Sequence, residues 1–275
     1  MQRWQPDGVT PLEIWDLAIR GRNLWEWQDS PEYPELLLEA LMRLREGTIE
    51  SESKGVINPV ARDFDSIFLT GGRSQIPAIR AAIHRLDIPT FFGTNPIQGA
   101  CIAAVETFGQ SDETILAIDV GQTQIKIASP EGSACFERNL TNLPCSGDQE
   151  TLSLPGQRKM LTAFISSSID QFLNDSGCQP DKVLLALPCF IRPGFALGGS
   201  SYFGMKEHPT LLRDLITTTG LTKVPWLITN DAELAALPAL PALPALSRPE
   251  FAKATKTLVL TLGFGTGACI LEHQS

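Results

Sequence analysis

No stretch of this 275-residue chain approaches the roughly 20 consecutive apolar residues of a membrane-spanning helix. The opening residues MQRWQPDGVT hold no apolar h-region, so no secretory signal is expected there. Charged residues make up only 19%, below the usual share, and little of the chain should be disordered. With a net charge of −9 and no Lys/Arg run interleaved with aromatics, the basic surface that a phosphate backbone needs is missing. Neither nucleic acid nor a membrane is expected as a partner. None of the cysteines (Cys101, Cys135, Cys145, Cys178, Cys189, Cys269) forms a CxxC or has a His at zinc spacing. Most sit in apolar surroundings and read as buried free thiols, in a reducing cytoplasm and without structural zinc. No GxxxxGK[ST] occurs, which leaves a P-loop unsupported. A dinucleotide reading of GFGTG (263–267) fails because a strand, not a helix, follows it.

What is present is a core-forming composition, 43% hydrophobic, over a length that suits two modest domains or one large one. The organising stretch is ILAIDVGQTQIKIAS, Ile115 to Ser129. Apolar residues lead into Asp119, Gly121 and Thr123 follow, and alternation resumes through Ile125 and Ile127. The pattern predicts a β-hairpin with Asp119 at the end of a buried strand. Such an Asp can hold a metal-bound water, Gly121 lets the backbone approach an anion, and Thr123 adds donors. Taken alone, the stretch fits a plain turn equally well.

In order along the chain, PLEIWDLAIR (11–20) reads as a short amphipathic helix with Pro11 in its first turn. A second helix is expected over Pro34 to Arg45. Trp4, Trp15, Trp25 and Trp27 cluster in this region, for packing or, less simply, as an aromatic platform. SIFLT, the Gly71-Gly72 turn and Ile76 to Leu86 form a strand–glycine–helix unit, where a glycine pair lets a flat or anionic ligand touch the backbone. IPTFF is a short strand and Pro96 to Phe108 a helix rich in small residues. ACFERNL reads as a third strand after the hairpin, and Gln157 to Leu173 as a long helix. VLLALP (183–188) is continuously apolar, as in a sheet covered on both faces. A Gly-rich loop follows (189–205), then a helix over Pro209 to Thr219. VPWLIT is a strand ending in Asn230-Asp231, and Asn230 or Asp231 should cap the helix AELAAL. Prolines at 238, 241 and 244 stop a regular helix. TLVLTLG and ACILE flank FGTG as a second hairpin, with Glu272-His273 in a disordered tail. Lys126 reads as a phosphate contact or a solvated strand residue, Arg73 as an adenine-stacking or plain surface residue, and His84 and His208 as surface or cap residues.

Together these elements resemble the phosphate-1, phosphate-2, catalytic-acid and adenosine motifs of the actin-like ATPase and sugar kinase superfamily. The nearest likeness is to the ROK family (repressors, open reading frames and sugar kinases). DVGQTQIK is similar to its D-x-G-G-T-x-x-K, and ALPCFIRPG with GGSSYFGM to its strand, Pro-Gly loop and substrate lid. VPWLITNDAELAAL resembles the catalytic Asn-Asp segment, LGFGTGACI the second phosphate hairpin and FLTGGRSQIPAIRAAI the adenosine segment. The resemblance spans residues 60 to 275. It implies an α/β fold of two RNase-H-like domains around a cleft. The motif order departs from the family, because the adenosine segment comes first and phosphate-2 last, as in a circular permutant. The expected domains are 1–110 completed by 257–275 (adenosine and phosphate-2) and 111–256 (phosphate-1 and catalytic Asp).

The resemblance further implies ATP and Mg²⁺ as cofactors and a small carbohydrate-like metabolite as phosphoryl acceptor; a homodimer is compatible with it. Asp231 would be the general base, with Asn230 and Gly194 on the substrate. Asp119 would orient Mg²⁺ through water. Gly121, Gln122 and Thr123 would line the transferred phosphate, Gly265, Thr266 and Gly267 would hold the β- and γ-phosphates, and Gly71 and Gly72 would press on adenosine. Gln122 replaces the second glycine of phosphate-1, and the family's Glu-x-Gly-His contact and Cys-rich zinc loop are absent. The implied function is therefore an ATP-dependent kinase, with a non-catalytic nucleotide- or sugar-binding sensor as the alternative. An ATPase that drives domain motion is a third reading, with no partner indicated.

Overall fold

The computed structural model describes residues 1–12, 18–48, 62–93, 99–108, 113–139, 143, 153–189, 191–198, 205, 207–239, 254–263 and 266–273. Strands β1 (Gln2–Arg3), β2 (Val9–Leu12), β3 (Ala18–Ile19) and β4 (Arg22–Asn23) precede a 3-10 turn at Leu24–Trp27 and helix α1 (Tyr33–Glu46). Then come β5 (Ser66–Thr70), α2 (Pro77–His84), β6 (Thr90–Phe92) and α3 (Gly99–Phe108). The hairpin β7 (Ile115–Val120) and β8 (Gln124–Ser129) leads to β9 (Gly132–Glu137), α4 (Leu154–Ser176) and β10 (Lys182–Leu187). Helix α5 (Leu211–Thr218), β11 (Trp226–Asn230), α6 (Asp231–Ala236), β12 (Lys256–Leu262) and β13 (Thr266–Glu272) follow.

The chain divides into two compact units, Met1–Gln5 with Ala100–Leu234, and Pro6–Gly99 with Ala235–Ser275. The first unit holds a six-stranded sheet in the order β1-β11-β10-β7-β8-β9. Strands β7, β10 and β11 run parallel, and β8 and β9 antiparallel. β7 is buried along its whole length, as its unbroken apolar run requires. Alternation divides it into two faces. Leu116, Ile118 and Val120 join Leu161, Ile165 and Ile169 of α4 and Leu215 of α5 in one core. Asp119 follows the odd-numbered set and looks the other way. Helix α4 starts on Ser153, whose hydroxyl accepts from the Gly156 amide at 3.4 Å, and ends on Gly177 with φ 70°. It therefore extends beyond the expected 157–173 at both ends.

The second unit holds a five-stranded sheet, β2-β13-β12-β5-β6. Its core joins Leu258, Leu260, Ile67 and Leu69 of the sheet to Leu37, Leu41 and Leu44 of α1 and Ile83 of α2. The pairing of β12, β13, β2, β5 and β6 repeats that of β7, β8, β9, β10 and β11: two antiparallel steps on one side, two parallel steps on the other. In the first unit these five strands follow one another along the chain, whereas in the second β12 and β13 come last and β2 first.

Two expectations are overturned. Residues 9–12 form an edge strand on β13, not the start of a helix over 11–20, with Val9 and Leu12 buried. An edge strand tolerates Pro11, which lacks an N–H. The turn before it presses so closely on β13 that a Cβ on Gly8 would lie 2.7 Å from the Glu272 carbonyl oxygen. Residues 13–17 lie outside the described residues. Glu272-His273 is no loose tail: β13 runs to Glu272, and His273 Nε2 lies 2.7 Å from the Thr257 hydroxyl. The unit boundaries also differ from those expected, because α3 from Ala100 groups with the first unit and residues 235–256 with the second.

Candidate functional site

In the first unit the chemistry gathers at the carboxyl ends of β7 and β11, where open parallel sheets bind ligands. β10 lies between them and fixes their alignment: Ala186 stands opposite Asp119 on one side and Thr229 on the other. Asn230 and Asp231 thus emerge one and two residues beyond the level of Asp119. Asp119 is 8% exposed and directly opposite Lys126 in the β7–β8 ladder. The ladder puts both side chains on one face, and Lys126 Nζ donates to Asp119 Oδ2 at 2.6 Å. Lys126 is therefore neither a solvated strand residue nor a free phosphate hook. Burial would pull its ammonium down, but the charge and hydrogen bond of Asp119 outweigh this and hold it above its usual range.

The hairpin turn is tightly tied. The Gly121 amide donates to the Gln124 carbonyl at 3.0 Å, and a Cβ on Gly121 would lie 2.8 Å from that same oxygen. Gln122 is buried. Its carbonyl accepts from the Arg138 guanidinium at 2.9 Å, and the Thr123 carbonyl accepts from the Arg138 amide at 2.8 Å. Arg138, itself buried, thus sets the turn from the end of β9. Nothing in the sequence marked it.

Asn230 caps α6. Its side-chain oxygen accepts from the Ala232 amide at 2.9 Å, and its Nδ2 donates to the Cys189 carbonyl at 3.0 Å and the Leu187 carbonyl at 3.4 Å. The side-chain amide that was expected on a substrate is thus engaged with main chain. Asp231 Oδ1 also accepts from Ala232, at 2.8 Å. Burial, then the charge of Asp119, push the Asp231 carboxyl up to about 7, against the pull of the Ala232 amide and Lys126. Burial, then Asp231, push the Cys189 thiol up as well. Glu233 was missed, although Asn230-x-x-Glu233 has the spacing of a capping box. It is fully buried, accepts from the Asn230 amide at 2.8 Å and the Thr229 hydroxyl at 3.0 Å, and pairs with Arg3 of β1 at 2.5 Å. Gly194, with φ 76°, turns a short 3-10 segment whose flanks Ile191 and Leu197 pair and are buried.

In the second unit the glycine pair and the second hairpin meet. A Cβ on Gly71 would lie 2.6 Å from the Leu262 carbonyl oxygen, and Leu262 stands opposite Thr266. Gly71, at φ 90°, is thus required by its own sheet, whereas Gly72 has open space around it. The Thr266 hydroxyl lies 3.2 Å from the buried Tyr33 hydroxyl, a partner the sequence did not suggest. Gly267 lies beside it in β13. Arg73 is no plain surface residue: it donates to the Gln28 carbonyl and to Asp29 Oδ1, the latter at 2.7 Å. His208 is buried and accepts from the Thr210 amide at 3.3 Å. Gly265, residues 199–204, expected in a substrate lid, and the Pro-rich repeat beyond 239 lie outside the described residues.

No family model and no curated protein matches the chain. Among solved structures, it is similar to a provisional N-acetylmannosamine kinase from Listeria monocytogenes, with 23% identity and a TM-score of 0.37. That match covers 58% of this chain and 47% of the other. It is also similar to a ROK family protein from Streptococcus pneumoniae TIGR4 in complex with sucrose, with 19% identity, a TM-score of 0.35 and the same coverage of 58% and 47%. The chain thus matches about half the length of each of these solved proteins.

Proposed function

We propose that the protein is an ATP-dependent phosphotransferase acting on a hydroxyl of a small, carbohydrate-like metabolite. One observation carries this reading: β10 aligns Asp119 and Asp231 at the carboxyl ends of parallel strands, and there burial, then the charge of Asp119, push the Asp231 carboxyl up to about 7. A general base works best with a pKa near the working pH, and two carboxylates with different surroundings divide the roles. Asp231 accepts the acceptor hydroxyl's proton, and Asp119 is the carboxylate for the cation. Asn230 fixes the turn that aims Asp231, and Gly194 turns the loop that follows β10. Phosphoryl transfer asks for positioning and charge stabilisation more than covalent chemistry, which suits this sparse set.

Among the described residues no cluster of three or more His, Cys, Asp or Glu side chains suits a metal. Magnesium binding through one or two carboxylates, waters and nucleotide phosphates needs no such cluster, and Asp119 fits that part. When bound, Mg²⁺ neutralises charge on the phosphates. Gly121 and Thr123, with Gln122 tucked in, line the phosphate turn of the first unit; Gly71, Gly72, Thr266 and Gly267, the remaining residues expected to serve the nucleotide, belong to the second unit. Lys126 on Asp119 favours a second reading, a non-catalytic binding protein, because an ammonium already sits on the carboxylate meant for the cation. Incubation with Mg-ATP and a panel of sugars separates the two. ADP release that is lost in Asp231→Asn, with ATP binding retained, supports the kinase. A thermal shift by Mg-ATP with no ADP release on any sugar leaves the binding protein.

We further propose that the chain is a circular permutant of the family's order, with the usual ends joined through GQSDE (109–113). Joining β13 to β2 would give the second unit the strand sequence that β7 to β11 follow without interruption. A protein re-cut within 109–113, with its present ends linked, should fold with an unchanged circular dichroism spectrum; an unfolded product counts against the permutation.

A further inference from the structure

Strand β1 adds a sixth strand to the first sheet, with Gln2 opposite Leu227 and Arg3 opposite Ile228 on β11. Residues Met1–Gln5 group with the first unit although the chain then passes into the second. Pairing alone would need no particular side chain at position 3. Yet Arg3 Nη2 donates to both Glu233 oxygens at 2.5 Å, and Nη1 donates to the Ile228 carbonyl at 3.1 Å and to the Trp4 carbonyl. Glu233 has no solvent exposure, so these donors stand where water would otherwise solvate it. The same carboxylate receives the Thr229 hydroxyl and the Asn230 amide. It therefore links β1 to the turn that carries Asp231.

We infer that Arg3 is a positioning residue: by holding Glu233 it fixes the Asn230–Asp231 turn and balances the charge that Glu233 presents to Asp231. This rests on the reading of Asp231 as the general base. The groups that act on Asp231 are Asp119 from β7, Lys126 from β8, Glu233 from its own helix and the Cys189 thiol from the loop after β10. Of these, only Glu233 is governed by Arg3.

The test uses readouts that need no substrate. In ¹³C-Asp-labelled full-length protein, the Asp231 carboxyl signal is assigned by its loss in Asp231→Asn and titrated. Arg3→Met should move the midpoint upward by roughly half a unit or more, because Glu233 is left uncompensated. The double variant Arg3→Met/Glu233→Gln should bring it back to the wild-type value or below. Amide exchange at Asn230 and Ala232 should quicken about tenfold or more in Arg3→Met. A lowered melting temperature with unchanged Asp231 midpoint and unchanged exchange at both amides would overturn the inference, leaving Arg3 as a fastener for β1 alone. If Arg3→Met does not fold, Arg3→Lys decides: faster Asn230 exchange supports the inference and wild-type exchange refutes it. Absence of ADP release from wild-type protein would sink the kinase reading without touching these measurements.

Discussion

Replacing Asp231 by Asn should stabilise the protein at alkaline pH while abolishing phosphoryl transfer. Folded Asp231 keeps its proton to about pH 7, whereas the ordinary value is 3.8. Between those two values the native state binds more protons than the unfolded state. Stability therefore falls as pH rises from 4 to 7, and the loss is complete above 7. The difference, 7 − 3.8 = 3.2 units, corresponds to about 4 kcal/mol at ~1.36 kcal/mol per unit. Asp231 keeps partial contact with solvent, which trims the expected figure to about 2 to 4 kcal/mol. Asn preserves the oxygen that accepts from Ala232 but never ionises. Urea denaturation of both proteins from pH 4 to 8.5 measures the gap, and subtraction removes titrations common to the two. The gap should open between pH 4 and 7 in favour of Asp231→Asn and stay constant above. A gap that is flat across this range, or that opens the other way, refutes the raised carboxyl.

Lys126→Met should strand the Asp119 carboxylate, costing about 3 kcal/mol in urea denaturation, and should move the Asp231 midpoint above its wild-type value because Lys126 pulls it down. Gly121→Ala should destabilise by about 1 to 3 kcal/mol, since the new methyl meets the Gln124 carbonyl at 2.8 Å; an unchanged melting temperature contradicts the tight turn. Gly71→Ala should cost more than Gly72→Ala in the same assay, because only Gly71 combines φ 90° with the Leu262 backbone at 2.6 Å.

The parts of the fold legible in the sequence were those with a single period and a clear stop. SIFLT is β5 residue for residue, and the run around VLLALP is β10 because continuous apolar residues suit a strand covered twice. The helix expected over 11–20 fails at its start because Pro11 and Leu12 join β2, and what decides the matter is a partner strand more than 250 positions away. The Asp119–Lys126 pair was legible in principle: once β7 and β8 form a hairpin around 121–123, the register puts these two residues opposite each other. The hold of Arg138 on the turn was not, since it depends on a third strand's path. Nor was the Arg3–Glu233 pair, because no local pattern joins residues 230 positions apart.

Both carboxylates of the candidate site lie at the carboxyl ends of parallel strands in one sheet, and what separates them is their company. Asp119 has an ammonium at 2.6 Å, placed there by strand register. Asp231 has burial and the charges of Asp119 and Glu233 raising it, against one main-chain amide and the pull of Lys126. A carboxyl raised toward neutral pH suits a group that must gain and lose a proton. The surrounding devices act in the same direction. Arg138 holds the turn after Asp119, and Asn230, Glu233 and Arg3 hold the turn before and under Asp231. Packing alone would not require a fully buried Glu233 held by a half-buried Arg3, since apolar residues commonly replace a buried carboxylate and its partner at no loss of stability. Its placement under Asp231, the one carboxyl among the described residues pushed up to about 7, is best understood as control of that group's orientation and charge.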